Sequence, residues 1–304
     1  MIVVVGESLV DIVVDTDADS TESVGGSPLN VAVGLGRLEV PVLLLTSLGN
    51  DSRGGQVVSH LSASGAELLA TETRSGRTST AVARLDTNGR ASYEFDIEWA
   101  LPDQDLPACD ALHVGSLGTV LEPGRNSVLD LVDQAYARDV FVSFDPNVRA
   151  GFLDDRSGTW RDIESIAERA NLVKLSGEDV ELLQPGADPE DIARSLLTGE
   201  RTELVVVTQG ERGASAYTQQ TLASVPAPRT RLVDTVGAGD SFMAALLTIL
   251  LESDALSAYG AGVPDDEPGL TRLLHGAVSA AALTCSRRGA NPPLRSELPA
   301  DWPD

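Results

Sequence analysis

Asp240 closes the run Leu232-Val233-Asp234-Thr235-Val236-Gly237-Ala238-Gly239-Asp240-Ser241-Phe242, which passes straight into the apolar stretch Met243 to Leu251. A glycine-rich turn that opens a helix offers backbone N–H groups without intrahelical partners at the positive end of the helix dipole. An anion can be held there without any lysine. Gly237 and Gly239 let that anion approach the backbone closely. A carboxylate in such a place repels a bound phosphate, unless its work is to hold and deprotonate the hydroxyl that attacks the phosphate. From this segment alone Asp240 is either that general base or a helix-start residue complementing the dipole. Gly-Ala-Gly-Asp also lacks the third glycine of a dinucleotide fingerprint.

A second group lies near the N-terminus, where Gly25-Gly26-Ser27-Pro28-Leu29-Asn30 opens another helical pattern and Asp11 follows the first apolar run. By themselves Gly25 and Gly26 read as a turn and Asn30 as a capping or surface residue. Asp145, Asn147 and Arg149 stand at the end of an apolar run, where open α/β sheets place ligands. Arg149 reads either as a phosphate or substrate contact or as a surface ion pair.

Several chemistries are excluded. Lys174 is the single lysine of the chain, and it is not part of the Gly-Lys-Ser/Thr that a phosphate-binding P-loop requires. The protein-kinase signatures are absent, and no Gly-x-Gly-x-x-Gly follows the first strand, which argues against a nicotinamide dehydrogenase. Cys109 and Cys285 are far apart, and His60, His113 and His275 have unrelated spacings, so no zinc pattern exists. Both cysteines are expected to be buried thiols. The net charge of −24 opposes nucleic acid and anionic membranes as partners. Its plainer meaning is a solvated, soluble surface, and a nucleotide would have to be met by local N–H groups, Arg and Mg²⁺.

The elements that position these residues follow from periodicity. Ile2 to Val5, a helix over 28–38, Val42 to Leu45 and a helix near 55–64 set a β-α-β-α rhythm. It resumes with Ala111 to Val114, a helix over 127–137, Val140 to Phe144, a helix over 163–170, Leu172 to Leu175 and Leu204 to Val207. The fold class is α/β, a doubly wound, mainly parallel sheet with helices on both faces, in a single domain spanning 1–304. Leu9 to Asp15, with Thr80 to Leu85 and Ala91 to Ile97 joined through Asn88-Gly89, interrupts the alternation. These strands, within about 9–16 and 78–99, are expected to form a small projecting sheet acting as a lid. Trp99, just beyond them, is expected to sense its closure. Alternation of Ala91, Tyr93 and Phe95 suggests an apolar face through which a homodimer could pair. Ser253 to Gly269 reads as an exposed connection between two C-terminal helices. The first run lacks a basic leader, and no apolar run is long enough to span a bilayer, so a cytoplasmic protein is expected.

Asp11, Gly25-Gly26 with Asn30, and Asp234 to Asp240 together resemble the two signatures of the ribokinase-like carbohydrate kinases, in order and separation. The resemblance covers nearly the whole chain. It is closest to the fructokinase branch through Asp145-Pro146-Asn147-Val148-Arg149 and Val173-Lys174-Leu175-Ser176-Gly177-Glu178-Asp179. It implies a ribokinase-like sheet with a β-sheet lid, and an ATP-dependent kinase that phosphorylates a sugar, fructose first. A 2-keto-3-deoxygluconate kinase, another ketose kinase, a ribokinase, a nucleoside kinase and a catalytically silent sugar-binding protein remain alternatives. Carried over by position, the resemblance implies Asp240 as general base, with Gly237, Ala238 and Gly239 forming the anion hole. Asp11, Gly25, Gly26, Asn30 and Arg149 would bind sugar. Thr208, Gly210, Gly213, Gly289 and Asn291 would bind nucleotide. Asp179 would act on Mg²⁺ through water, in a segment with Ser176 where the family commonly has Asn. Asp234 would face K⁺, for which Arg288 to Pro293 offers few hydroxyls.

Overall fold

Strands of Val, Leu and Ile flanked on both sides by apolar helices have to be buried on both faces, and β1 (Ile2–Val5) shows how. Ile2 and Val4 enter one core while Val3 and Val5 enter the other. The computed structural model describes residues 1–14, 20–85, 91–199, 201–256 and 262–303. After β1 come β2 (Leu9–Val14), β3 (Ser20–Gly25), α1 (Ser27–Arg37), β4 (Val42–Leu48), α2 (Ser52–Ser62) and β5 (Glu67–Glu72). Next are β6 (Thr80–Leu85), β7 (Ala91–Asp96), β8 (Ala111–Gly115), α3 (Gly124–Ala137), β9 (Phe141–Asp145), α4 (Arg156–Ala167) and β10 (Leu172–Ser176). The chain ends with α5 (Gly177–Leu183), α6 (Pro189–Leu196), β11 (Leu204–Thr208), β12 (Ala214–Tyr217), β13 (Leu222–Val225), α7 (Ala238–Glu252) and α8 (Glu267–Cys285).

Nine strands form the main sheet in the order β13-β12-β11-β10-β9-β8-β1-β4-β5. All neighbours are parallel except at β12 and β13. The core on one face draws on α1, α2, α7 and α8, and the core on the other on α3, α4, α5 and α6. Strand order runs outward in both directions from β1, so the crevice at its C-terminal end is the switch point where such sheets take ligands. Asp145, Ser176 and Thr208 all end parallel strands on that same edge.

The second sheet has the order β3-β2-β6-β7, with β2 and β6 parallel and the outer pairs antiparallel. β3 has no counterpart in the sequence expectation. Ser-Thr-Glu-Ser-Val-Gly is polar and exposed along most of its length, so only its edge pairing makes it a strand. Short β5, β12 and β13 and helices α5 and α6 are likewise hidden by weak periodicity, and α4 begins at Arg156, well before Ile163. Asn88-Gly89, and the side chains of Ala91 and Tyr93, lie outside the described residues.

Trp99, just beyond β7, lies in the main core: it is 2% exposed, lies against Gly124, and donates from Nε1 to the Gly118 carbonyl at 3.0 Å. One expectation is corrected. Both cysteines are half-buried, not enclosed. Among the described residues no helix is long and apolar enough to cross a membrane.

Candidate active site

Two helix starts meet at the crevice. α1 begins at Gly26, whose φ of 110° places it where a side chain is strained and where a Cβ would lie 2.6 Å from the Glu7 carbonyl oxygen. α1 then packs so tightly on α7 that a Cβ on Gly34 would come 2.6 Å from the Ala244 side chain. This close approach delivers the first turn of α1 to the first turn of α7. Ser27 Oγ donates to Asp240 Oδ1 at 2.6 Å, and Asn30 Nδ2 donates to Asp240 Oδ2 at 2.8 Å. The acceptor atom of that amide, Asn30 Oδ1, is buried without a partner. Asp240 is itself buried. Burial drives its carboxyl above the usual range, and Asp145 adds to this, while the two hydrogen bonds and Arg149 act against it. A buried carboxylate with raised proton affinity, held by two donors, can accept a proton from a hydroxyl.

The turn before Asp240 is fitted to an anion. Gly237 is the α7 cap with φ 73°, and a Cβ there would lie 2.6 Å from the Ala290 side chain, so glycine alone suits the position. Ala238 N–H donates to the Thr235 carbonyl at 3.2 Å. The N–H groups of Gly237, Gly239 and Asp240 have no hydrogen-bond partner among the described residues. Asp234 braces the turn, accepting from Val236 N at 3.1 Å and from Gly289 N at 2.8 Å. Asn291 Oδ1 and the Pro292 carbonyl both accept from Arg37 Nη1, at 2.5 and 2.6 Å. The C-terminal loop is thereby tied to both the turn and α1.

On the opposite side Asp11 lies against Gly25, where a Cβ would come 2.2 Å from Asp11 Oδ2, and burial raises the Asp11 carboxyl. Glu7, 3% exposed, accepts from Gly118 N at 2.8 Å. Burial pushes its carboxyl up to about 7. The positive charge of Arg149 acts on Glu7, Asp11 and Asp240 alike, and Arg149 is exposed, with no ion pair within 4 Å among the described residues. The loop that carries it is pinned twice, by Asn147 N to Asp145 Oδ1 at 3.2 Å and by Val148 N to Asp179 Oδ1 at 2.7 Å.

Asp179 is thus partly occupied. Its Oδ2 accepts from Ser176 N and Oγ at 2.7 and 2.6 Å, completing a capping box at the start of α5. One lone pair of Oδ1 stays unclaimed, enough for a water but not for a protein-built metal cage. Among the described residues no three His, Cys, Asp or Glu gather to hold a metal ion. The residues therefore fit a cation carried on phosphates and reached through water. Asp234 also has each oxygen bonded to a backbone N–H. Thr208 Oγ1 lies 3.5 Å from the Leu175 carbonyl and Gly210 opens a short turn at φ 57°. Gly213 has a folding role, since a Cβ there would meet the Val225 carbonyl at 1.9 Å.

Sequence reasoning passes over Ser27, Glu7 and Lys174. Ser27 stands inside the quoted glycine run. Glu7 is visible as a carboxylate following an apolar strand, and Lys174 as a lone cation within one.

A doubly wound α/β sheet with an anion-holding helix start and a carboxylate beside it defines a phosphoryl-transfer scaffold, and comparison with known proteins agrees. The model of the "pfkB family carbohydrate kinase" matches residues 1–297. A fructokinase of Rhizobium leguminosarum bv. trifolii is 33% identical over 269 residues, 84% of this chain and 82% of that one. A fructokinase of Salmonella typhimurium is 30% identical, covering 94% of each. Among solved structures, a Vibrio cholerae O395 fructokinase with fructose, ADP and calcium ion bound superposes with a TM-score of 0.79 at 25% identity, over 95% of this chain and 94% of that one. An uncharacterized sugar kinase of Pyrococcus horikoshii in complex with ATP gives 0.79 at 25% identity, over 98% and 97%. The chain belongs to the pfkB family of carbohydrate kinases, and the ribokinase-like fold expected from its motifs is the one observed.

Proposed function

We propose that this sugar kinase transfers the γ-phosphoryl group of ATP to a primary hydroxyl of D-fructose, with Asp240 as general base. The observation that carries the reading is the Asp240 carboxylate, buried at the start of α7 between Ser27 and Asn30 and next to unpartnered N–H groups. The acceptor hydroxyl would bond to Asp240, and Asp11, Gly25, Gly26, Asn30 and Arg149 would line the remaining sugar contacts. The N–H groups of Gly237, Gly239 and Asp240 would stabilise charge on the phosphoryl oxygens without reorganising. ATP would extend toward Thr208, Gly210 and the loop of Gly289 to Asn291. Mg²⁺ on its phosphates would neutralise developing charge there, with Asp179 reaching it through water. K⁺ beside Asp234 would have to share a carboxylate whose two oxygens each already accept from a backbone N–H group.

The four-stranded sheet is the element we assign as lid. Phe95 on β7 meets Phe152, just beyond Arg149, in a tilted ring contact with centroids 5.0 Å apart. Sheet position and the sugar-side loop are thereby coupled. Val13 and Phe95 leave apolar surface on this sheet, where a second copy could pair, and sedimentation as a monomer at micromolar concentration refutes that pairing.

The test is ADP release across a sugar panel. D-Fructose should give the highest kcat/KM. A clearly higher value for 2-keto-3-deoxygluconate, tagatose, ribose or adenosine reassigns the acceptor, and no sugar-dependent release at all overturns the catalytic reading in favour of a silent binder.

A further inference from the structure

Lys174 lies in β10 among apolar neighbours, 3% exposed. Its Nζ donates to Asp145 Oδ2 at 2.7 Å. The same ammonium lies 3.5 Å from where a Cβ on Gly239 would stand, so it sits directly beneath the turn that opens α7. The carboxylates that favour its charge come from the elements packed around it: Asp145 from β9, Asp179 from α5 and Asp240 from α7. His113 on β8 faces the ammonium too, and burial first and then Lys174 hold its ring neutral, with its pKa lowered to about 3. Burial opposes the charge on Lys174, but the three carboxylates outweigh it and the ammonium is stabilised.

We propose that Lys174 is a positioning residue for phosphoryl transfer, a buried cation that holds Asp145, at the start of the Arg149 loop, beneath the Gly237–Asp240 turn. Asp145 divides its carboxylate between the two, with Oδ2 on Lys174 and Oδ1 on Asn147 N. Displacing the ammonium frees Asp145 Oδ2 from β10 and so loosens the residue from which the Arg149 loop starts. It also leaves Asp145 facing Asp240 uncompensated and removes positive potential from below the phosphoryl group, where fixed charge in a dry site acts most strongly. The inference deepens the proposed function and rests on it.

The chain's only lysine makes the test direct. Protein labelled with [¹⁵Nζ]lysine carries one lysine side-chain resonance. Adding D-fructose with MgADP and aluminium fluoride should move it, whereas D-fructose alone should move it less; an unmoved resonance overturns the proposal. Because Lys174→Met alone strands the buried Asp145 charge and so threatens the fold, the kinetic arm uses Lys174→Met/Asp145→Asn. This is a neutral pair in which the new amide at position 145 still accepts from Asn147 N. Its kcat should fall at least about 10-fold, as for other lost transition-state charge contacts, with KM for ATP within about threefold and the thermal midpoint near wild type. A double variant with wild-type kcat means the ion pair is structural only, and the proposal fails while the kinase reading stands. Wild-type protein without sugar-dependent ADP release overturns both.

Discussion

Asp240→Asn separates chemistry from architecture because the structure shows what the amide would do. In the native site Asp240 accepts from Ser27 Oγ on one oxygen and from Asn30 Nδ2 on the other. An asparagine can still accept from Asn30 with its carbonyl, while its amide donates to Ser27 once that hydroxyl rotates, so both hydrogen bonds can be kept. The proton acceptor alone is lost. General-base contributions are about 10² to 10⁴-fold, or roughly 3–5 kcal/mol of barrier, and this loss should appear in kcat with sugar KM little changed. Stability should move the other way. The Asp240 carboxyl is raised by burial, so the native protein holds that stability below the ordinary carboxylate pKa and loses it as pH rises through the higher folded value. The variant, having no such charge, should therefore match wild type in acid and melt at or above it at neutral pH. A helix-start role predicts the opposite pattern, a loss of about 1 kcal/mol with near-normal turnover. Coupled ADP release at neutral pH, and thermal midpoints of both proteins followed from acid up to neutral pH, give both numbers. A variant that melts earlier at the higher pH yet turns over within about threefold of wild type refutes the base assignment.

Other perturbations read other parts of the account. Gly237→Ala forces a left-handed residue against Ala290; it should cost at least about 1–2 kcal/mol and raise KM for ATP, and an unchanged midpoint with unchanged KM contradicts the fitted turn. Glu7→Gln removes a buried carboxyl raised from 4.5 to about 7. At about 1.4 kcal/mol per pKa unit it should stabilise by about 3 kcal/mol above about pH 7. The gain should vanish below about pH 4.5, and equal midpoints at about pH 8 refute it. Phe95→Ala deletes the ring contact with Phe152, worth about 1 kcal/mol. Sugar KM should rise about fivefold with ATP KM unmoved, and an unchanged sugar KM removes the coupling of small sheet to loop.

Much of this site is legible in the sequence because its chemistry is concentrated in helix starts, and glycine, proline and acidic residues mark those along the chain. Gly26 and Gly237 announce their turns through their residue type. What a linear reading does not supply is which turns meet. The bonds from Ser27 and Asn30 to Asp240 span more than 200 residues and depend on Gly34 letting α1 settle onto α7. Asp179 reads as a metal residue but also caps α5, since a carboxylate three residues after a serine serves either purpose. Lys174 stands out in sequence only for the motif it fails to make, while its Asp145 partner comes from the adjacent strand. β3 escapes because an exposed edge strand carries no buried alternation. That Trp99 enters the main core right after β7 is not legible either, because chain proximity to a strand says nothing of the direction in which the next residue turns.

The most direct test of phosphoryl transfer to a sugar is a ³¹P spectrum of wild-type protein with MgATP and D-fructose, run beside Asp240→Asn. The account predicts one new phosphomonoester on a primary sugar carbon, formed in equal amount with ADP and at least about 100-fold more slowly in the variant. Inorganic phosphate in place of the ester, or equal rates in the two proteins, would contradict it.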